Sequence, residues 1–288
     1  MPGRFMDYKE WEHGLGVYPP PFHLPKEPMN LNLHDKIILV TGGAKGIGEG
    51  IARVLAGEGA ALVLIDRDES ALTRTVGTLT EGGIRVHGVV ADLTRPGDCG
   101  RAIADALTWS GGRLDGLVNN AGVNDGVGLK SGNYEAFMAS LHKNVVHYYL
   151  MAQHALPALK ASQGSIVNIV SKVAETGQGN TSAYAAANGG RAALTREWAV
   201  ELLPDGIRVN AVVVAECWTP LYENWLGTLP NPDETLRNIT AKIPLGHRMT
   251  TTEEIANSVA FLLSDRSSHT TGQLLHVDGG YTHLDRSV

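Results

Sequence analysis

From Lys36 onward, short runs of β-branched and aliphatic residues alternate with longer stretches whose apolar positions recur every three or four residues. The short runs predict strands at 37–41 (IILVT), 61–65 (ALVLI), 85–90 (RVHGVV), 114–118 (LDGLV), 165–170 (SIVNIV), 207–213 (IRVNAVV) and 273–277 (QLLHV). The longer stretches predict helices near 47–57, 68–81, 97–109, 134–160, 182–203 and 253–264. Strands that are apolar throughout, separated by helices, imply a parallel sheet buried on both faces. Right-handed crossovers then give an α/β, doubly wound Rossmann-type fold with helices on both faces. Residues 216–245 break the rhythm with Trp218, Pro220, Tyr222, Trp225, Pro230 and Pro232. An insertion of that length past the carboxyl end of a strand is a candidate substrate lid.

Ahead of this pattern, residues 1–30 form a proline-rich extension holding six of the 13 prolines. The Pro19-Pro20-Pro21 run favours an extended polyproline arm, read as a loose tail in preference to an arm that docks its aromatics on a neighbouring subunit. No charged start followed by an apolar core marks a secretory signal, and Met29 is a second candidate start. The remainder, 31–288, is expected to be a single dinucleotide-binding and catalytic domain. Hydrophobic residues make up 43% of the chain and charged residues 19%, enough for an ordinary globular core. The net charge of −6, without a basic tract, argues against nucleic acid and anionic lipid as partners. The longest uncharged run, Asn144 to Leu159, carries His147, Gln153, His154 and Pro157, so it reads as a buried helix and not a membrane span. Cys99 and Cys217 offer neither a disulfide framework nor metal-ligand spacing, so no metal and a cytoplasmic location are expected.

The first strand runs into Gly42-Gly43-Ala44-Lys45-Gly46-Ile47-Gly48 and then a helix. Glycines let backbone approach a pyrophosphate closely, and the helix N-terminus adds free N–H groups and partial positive charge. Ile51 stands where the strict G-x-G-x-x-G fingerprint has its third glycine. Asp66 ends the second strand 18 residues after Gly48, where an acid can take both adenosine ribose hydroxyls and repel a 2′-phosphate. NAD is therefore preferred. Lys45 and Arg67 could each reach a phosphate, which keeps NADP as the alternative. Asp66 also suits a helix N-cap, and the two roles can coexist.

In order along residues 33–282, Thr41-Gly42 through Gly48, Asp92, Asn119-Asn120-Ala121-Gly122, Asn144, Ser171, Tyr184 and Val277-Asp278-Gly279-Gly280 resemble the landmarks of the short-chain dehydrogenase/reductase family. The resemblance implies an NAD(P)-dependent oxidoreductase with Tyr184 as general base in oxidation and acid in reduction. Ser171 would hold the reacting oxygen and Asn144 would support a proton-relaying water. Gly42, Lys45, Gly46, Ile47, Gly48, Asp66, Arg67, Asp92, Leu93, Asn119, Ala121, Gly122 and Thr219 would hold the cofactor. Taken singly, Tyr184 could be an ordinary helix aromatic, Ser171 a turn residue and Asn119 a strand-end hydrogen bonder. Spacing and strand-to-helix context favour the catalytic pair.

One departure from the family stands out. Its Tyr-x-x-x-Lys pattern reads Tyr184-Ala185-Ala186-Ala187-Asn188 here. In the family that lysine hydrogen-bonds the nicotinamide ribose and lowers the tyrosine pKa. Asn188, on the same helix face, can do the first but carries no charge. A free tyrosine titrates near pH ~10, and a neighbouring cation lowers such a value by about 1–3 units, roughly 1.4–4 kcal/mol. Lys172 and Arg191 are candidate sources of the missing charge. The expectation is an active enzyme, slow near neutrality and faster in alkali, with a cofactor-binding protein of reduced activity as the alternative. A second departure is Val213-Val214-Ala215-Glu216, where the family has Pro-Gly ahead of the lid.

Substrate would meet three segments, offering Asn124, Asp125, Lys172, Gln178, Glu216, Trp218, Tyr222 and Trp225. Polar groups beside aromatic rings suit a carbohydrate better than a steroid or lipid. Residues 119–126, 176–182, 215–216 with 219–222, and 277–286 resemble the L-fucose dehydrogenase branch, which implies oxidation of the anomeric C1 hydroxyl of L-fucose or a related aldose to the lactone. Another polar alcohol or keto acid is the alternative. The resemblance also implies a homotetramer packed through helices 134–160 and 182–203.

Overall fold

The computed structural model describes residues 30–284. The expectations for the proline-rich extension, apart from Asn30, lie outside those residues. From Leu31 onward the described residues form one compact unit. Seven parallel strands run through it: β1 (Ile37–Thr41), β2 (Ala61–Asp66), β3 (Val86–Val90), β4 (Gly116–Asn119), β5 (Ser165–Ser171), β6 (Arg208–Val214) and β7 (Leu274–Val277). Their order in the sheet is β3-β2-β1-β4-β5-β6-β7, so the winding reverses between β1 and β4. In such sheets the crevice beyond the carboxyl ends at that reversal is the ligand site.

Alternate residues of each strand feed two cores, because side chains in a strand point to opposite faces. Ile38, Val40, Leu62, Leu64, Val118 and Val167 pack with Ile51 and Leu55 of α1 (Gly46–Gly57), Leu72 of α2 (Glu69–Glu81), and Ile255 and Val259 near the chain's end. Ile37, Leu39, Val63, Ile65, Leu117 and Ile166 pack on the other face with Ile103 of α3 (Pro96–Ser110) and with Tyr148, Met151 and Trp198.

The expected helix 134–160 is three pieces: α4 (Tyr134–Leu141), a π turn over His142–Val146, and α5 (His147–Ser162). One-turn π segments inside helices often sit at functional sites, and this one carries Asn144. Next comes α6 (Ser182–Glu201). The segment 216–245 contains two helices of its own, α7 (Pro220–Gly227) and α8 (Pro232–Thr240). Proline at the first position of each, and the Thr219 hydroxyl accepting from Tyr222 N at 3.2 Å, explain the proline and threonine placement there. The last helix, α9 (Thr252–Leu263), opens on a capping box between Thr251 and Glu254. No helix among the described residues is long and apolar enough to cross a membrane.

Candidate active site

A cleft of about 600 Å³ opens beyond the carboxyl ends of β1 and β4. One half is built from backbone. Gly42 and Gly46 have φ of +63° and +59°, the left-handed region that glycine enters without strain. The turn is braced from both sides: Gly42 N donates to Ile65 O at 2.7 Å, and Asn120 Nδ2 donates to Thr41 O at 2.9 Å. Gly48 does not line the cleft. It lets α1 pack on the turn, because a Cβ there would intrude on the Gly42 carbonyl. No side chain caps the start of α1, so its first N–H groups are free for an anion.

Asp66, Arg67, Asp92 and Leu93 line the neighbouring wall. The two Asp66 oxygens accept from Ala44 N at 3.2 Å and Asp68 N at 3.0 Å, which fixes the carboxylate at the mouth of the site. The N-cap of α2 is Asp68 and not Asp66, since Asp68 accepts from Ala71 N at 3.0 Å. Asp68 also holds Lys45 Nζ at 2.7 Å. Lys45 hydrogen bonding and the Ala71 N–H together keep the Asp68 carboxyl below its usual range. Thr94 does the same for Asp92 with its hydroxyl and backbone N–H. Glycine cradle, uncapped helix start and acid-lined wall together fit a dinucleotide. Asn119 is displaced from its expected place: it is fully buried behind the cleft, donating to Asn168 Oδ1 at 3.1 Å and Tyr148 O at 3.4 Å. Asn120, Ala121 and Gly122 face the space instead, with Thr219 opposite Gly46.

Ser171, at the end of β5, and Tyr184, in the first turn of α6, line the same cleft. Asn188 does not. It is fully buried and its amide is used by protein: Oδ1 accepts from Ser171 N at 2.8 Å, and Nδ2 donates to Tyr184 O at 2.8 Å. It therefore stands behind the cleft wall, away from the place expected for a hydrogen bond to the nicotinamide ribose.

Arg191 takes the space beneath. Only 2% exposed, its guanidinium donates from Nη1 to Ile169 O and Asn188 Oδ1 at 3.2 Å each, from Nη2 to Ala121 O and Asn144 Oδ1 at 3.4 Å each, and from Nε to the Asn144 carbonyl. Every acceptor is neutral, and among the described residues no carboxylate pairs with it. The guanidinium carbon also lies 4.3 Å from the centre of the Tyr148 ring. Asn144, expected to support a relay water, is committed to protein: it is fully buried, its carbonyl meets Arg191, and its side chain clasps Val123 N and O at 2.8 and 2.9 Å.

Lys143 and His147 are among the lining residues that escape the sequence reading. His147 follows Asn144 by three positions, on the same helix face, and that spacing is the signal that could have found it. Its Nε2 meets Lys143 O at 3.1 Å. Burial, reinforced by the Arg191 charge, pulls its pKa down to about 3, so the ring is neutral at ordinary pH.

None of the eight residues expected to read substrate lines the cleft. Lys172 pairs with Glu216, and Tyr222 leans on the same carboxylate, its phenol pushed up first by burial and then by the Glu216 charge. Asp125 accepts from Ser140 Oγ at 2.7 Å and Lys143 Nζ at 3.1 Å. Trp218, Tyr222 and Trp225 adjoin in sequence, the first pair tilted at 6.4 Å and the second edge to face at 5.1 Å between centroids. Asn124 and Gln178 are exposed. From the 216–245 segment it is Thr219, Pro220, Leu221 and Asn224 that reach the cleft.

A family model described as enoyl-(acyl carrier protein) reductase matches residues 42–282. A 2-(S)-hydroxypropyl-CoM dehydrogenase of Xanthobacter autotrophicus is 37% identical, covering 89% of this chain and all of its own. An L-fucose dehydrogenase of Bos taurus is 35% identical over 85% of this chain and 88% of its own. The crystal structure of Cj0485 dehydrogenase superposes with a TM-score of 0.85 at 44% identity, covering 90% of this chain and 99% of that one.

Proposed function

The chain belongs to the short-chain dehydrogenase/reductase family, and we propose that it oxidises the anomeric C1 hydroxyl of L-fucose or a related aldose to the lactone. The observation that carries the reading is the placement of Ser171 and Tyr184 on one cleft wall, beside the glycine turn and above a buried, uncompensated guanidinium. A bound nicotinamide would supply the hydride acceptor for the carbon that bears the hydroxyl. The Ser171 hydroxyl orients the substrate oxygen, and Tyr184 Oη removes its proton.

Arg191 provides the positive charge that Asn188 lacks. Asn188 Oδ1 receives Arg191 Nη1 and Ser171 N together, and its Nδ2 holds the Tyr184 carbonyl, so one amide links cation, serine and tyrosine. Lys172 is the weaker source, because Glu216 neutralises it.

NAD is the preferred cofactor. Asp66 is held at the wall where a 2′-phosphate would sit, and Lys45, one of two cations able to greet that phosphate, is drawn to Asp68. The sugar assignment draws support from the L-fucose dehydrogenases among the relatives and from the polar rim that Lys143 and Asn224 give the cleft. Relatives that act on other alcohols favour a second reading, a dehydrogenase of a different polar alcohol. Residues 216–245 act as the lid, and the enzyme works in the cytoplasm as a homotetramer. The test is NADH formation across a panel of deoxy- and ordinary aldoses and non-sugar alcohols, read from neutral to alkaline pH with NAD and NADP. The expected result is highest kcat/KM for L-fucose or a close aldose with NAD. Turnover of a non-sugar alcohol with none of any aldose would overturn it.

A further inference from the structure

Glu175, His276 and His283 lie together outside the cleft and take no part in the chemistry above. Their ligand atoms all fall within 4.8 Å of one another. Glu175 Oε1 is 3.1 Å from His276 Nε2, and Glu175 Oε2 is 3.4 Å from His283 Nε2. The two imidazoles meet edge to face with centroids 4.2 Å apart. Ligands about 2.0–2.2 Å from a tetrahedral zinc are separated from each other by roughly 3.3–3.6 Å. Each imidazole meets its own oxygen of the Glu175 carboxylate at close to that edge length.

We propose that Glu175, His276 and His283 form a binding site for a divalent transition-metal ion of the zinc class. Two imidazole nitrogens and a carboxylate are an intermediate donor set. They suit Zn²⁺, Co²⁺ or Ni²⁺ better than Mg²⁺ or Ca²⁺, which prefer all-oxygen shells.

Each ligand is held by its own backbone. His276 sits in β7, in register with Val213 of β6. Glu175 closes the turn after β5, its N–H donating to Lys172 O at 2.9 Å. His283 follows a turn in which the Asp278 carboxylate accepts from Gly280 N at 2.8 Å and Thr282 N at 2.9 Å, with Gly279 and Gly280 at φ of +62° and +81°. The side chains of His283, Glu175 and His276 are 59%, 30% and 19% exposed, so an ion can enter from solvent, with water completing the shell. Bound there, the ion would tie the segment that begins at Ser171 to the C-terminal turn. The Tyr281 ring already lies 4.0 Å from Lys172 Nζ at that junction.

The test uses the full chain, stripped with dipicolinate and dialysed. It is titrated with ZnCl₂ by calorimetry and with CoCl₂ by visible absorption, and its melting temperature is followed with and without Zn²⁺. One ion per chain is expected, with a Co²⁺ d–d spectrum and a Zn²⁺-dependent rise in melting temperature. His283→Ala should lose the spectrum and the rise, and Glu175→Gln should weaken binding about tenfold or more. NAD binding should persist in both, which verifies their fold. Binding of less than one ion per chain by the parent, or binding that His276→Ala and His283→Ala leave unchanged, would overturn the site. Because metal is read directly, this outcome is independent of which alcohol the enzyme oxidises.

Discussion

The cleft and the segments expected to read substrate are made differently. The dinucleotide side of the cleft is strand ends, glycines and free backbone N–H groups, with acidic side chains fixed by backbone donors. The residues expected to read substrate stand outside the cleft and satisfy one another: Lys172 with Glu216, Asp125 with Lys143 and Ser140, Tyr222 between two tryptophans. A polar residue in a sequence announces that it can hydrogen-bond, not with what. Backbone geometry is announced more directly, because few residues other than glycine permit it.

Substitutions in the two regions should therefore separate cleanly. The largest effect is expected for Tyr184→Phe, which removes the proton acceptor. The turnover rate should fall about 10²–10⁴-fold while NAD binding, read by fluorescence titration, stays unchanged. Next comes Arg191→Lys, which keeps charge but loses the planar fork that meets five acceptors. The turnover rate should fall, and fall further in Arg191→Met, with melting temperature measured alongside because three carbonyls lose a donor. Unaltered turnover in both would remove Arg191 from the mechanism. A smaller effect is expected at Asp66→Asn, where the NAD over NADP preference in kcat/KM should narrow by roughly tenfold, with kcat on the sugar little changed.

In the other region, Glu216→Gln breaks a largely buried pair and strands the Lys172 charge. KM for substrate should rise several-fold through the segment that carries Glu216, and the dissociation constant for NAD should not move. If both changed together, the division between the two regions would be wrong.

The mildest effect lies outside the cleft. The Arg248 side chain first, then the Thr251 backbone, hold the Glu254 carboxyl down to about 2 from 4.5. A depressed carboxyl stabilises the fold above its unfolded value and loses that contribution as pH falls. The melting temperatures of the parent and Glu254→Gln should therefore differ most above pH 4.5 and converge toward pH 2.

Much of the scaffold was legible in the chain itself. All seven strands fall within a residue or two of the apolar runs, because a sheet buried on both faces demands continuous apolar character. Thr41 to Gly48 and Asp66 were readable for the reason given above. The π turn was not, since apolar periodicity alone does not mark a single widened turn. The fates of Asn119 and Asn188 were hidden because an amide in a motif position looks the same whether it points at a ligand or is pinned by its neighbours. Arg191 was visible as a nearby cation at i+7 from Tyr184. Its reach to Ala121, Asn144 and Ile169 depends on three segments converging in space, which spacing along one helix cannot disclose.

The crowding around Gly122 has its own consequence. A Cβ at that position would lie 2.5 Å from Arg191 Nη2 and 2.9 Å from Asn144 Oδ1. The smallest residue and one of the longest are thus interlocked, and neither can drift alone. A lineage trading this arginine for a lysine at 188 would have to refill the vacated volume and re-cap three oxygens in the same step. Intermediates along that route would be less stable than either end, which would tend to hold descendants to the architecture they inherit.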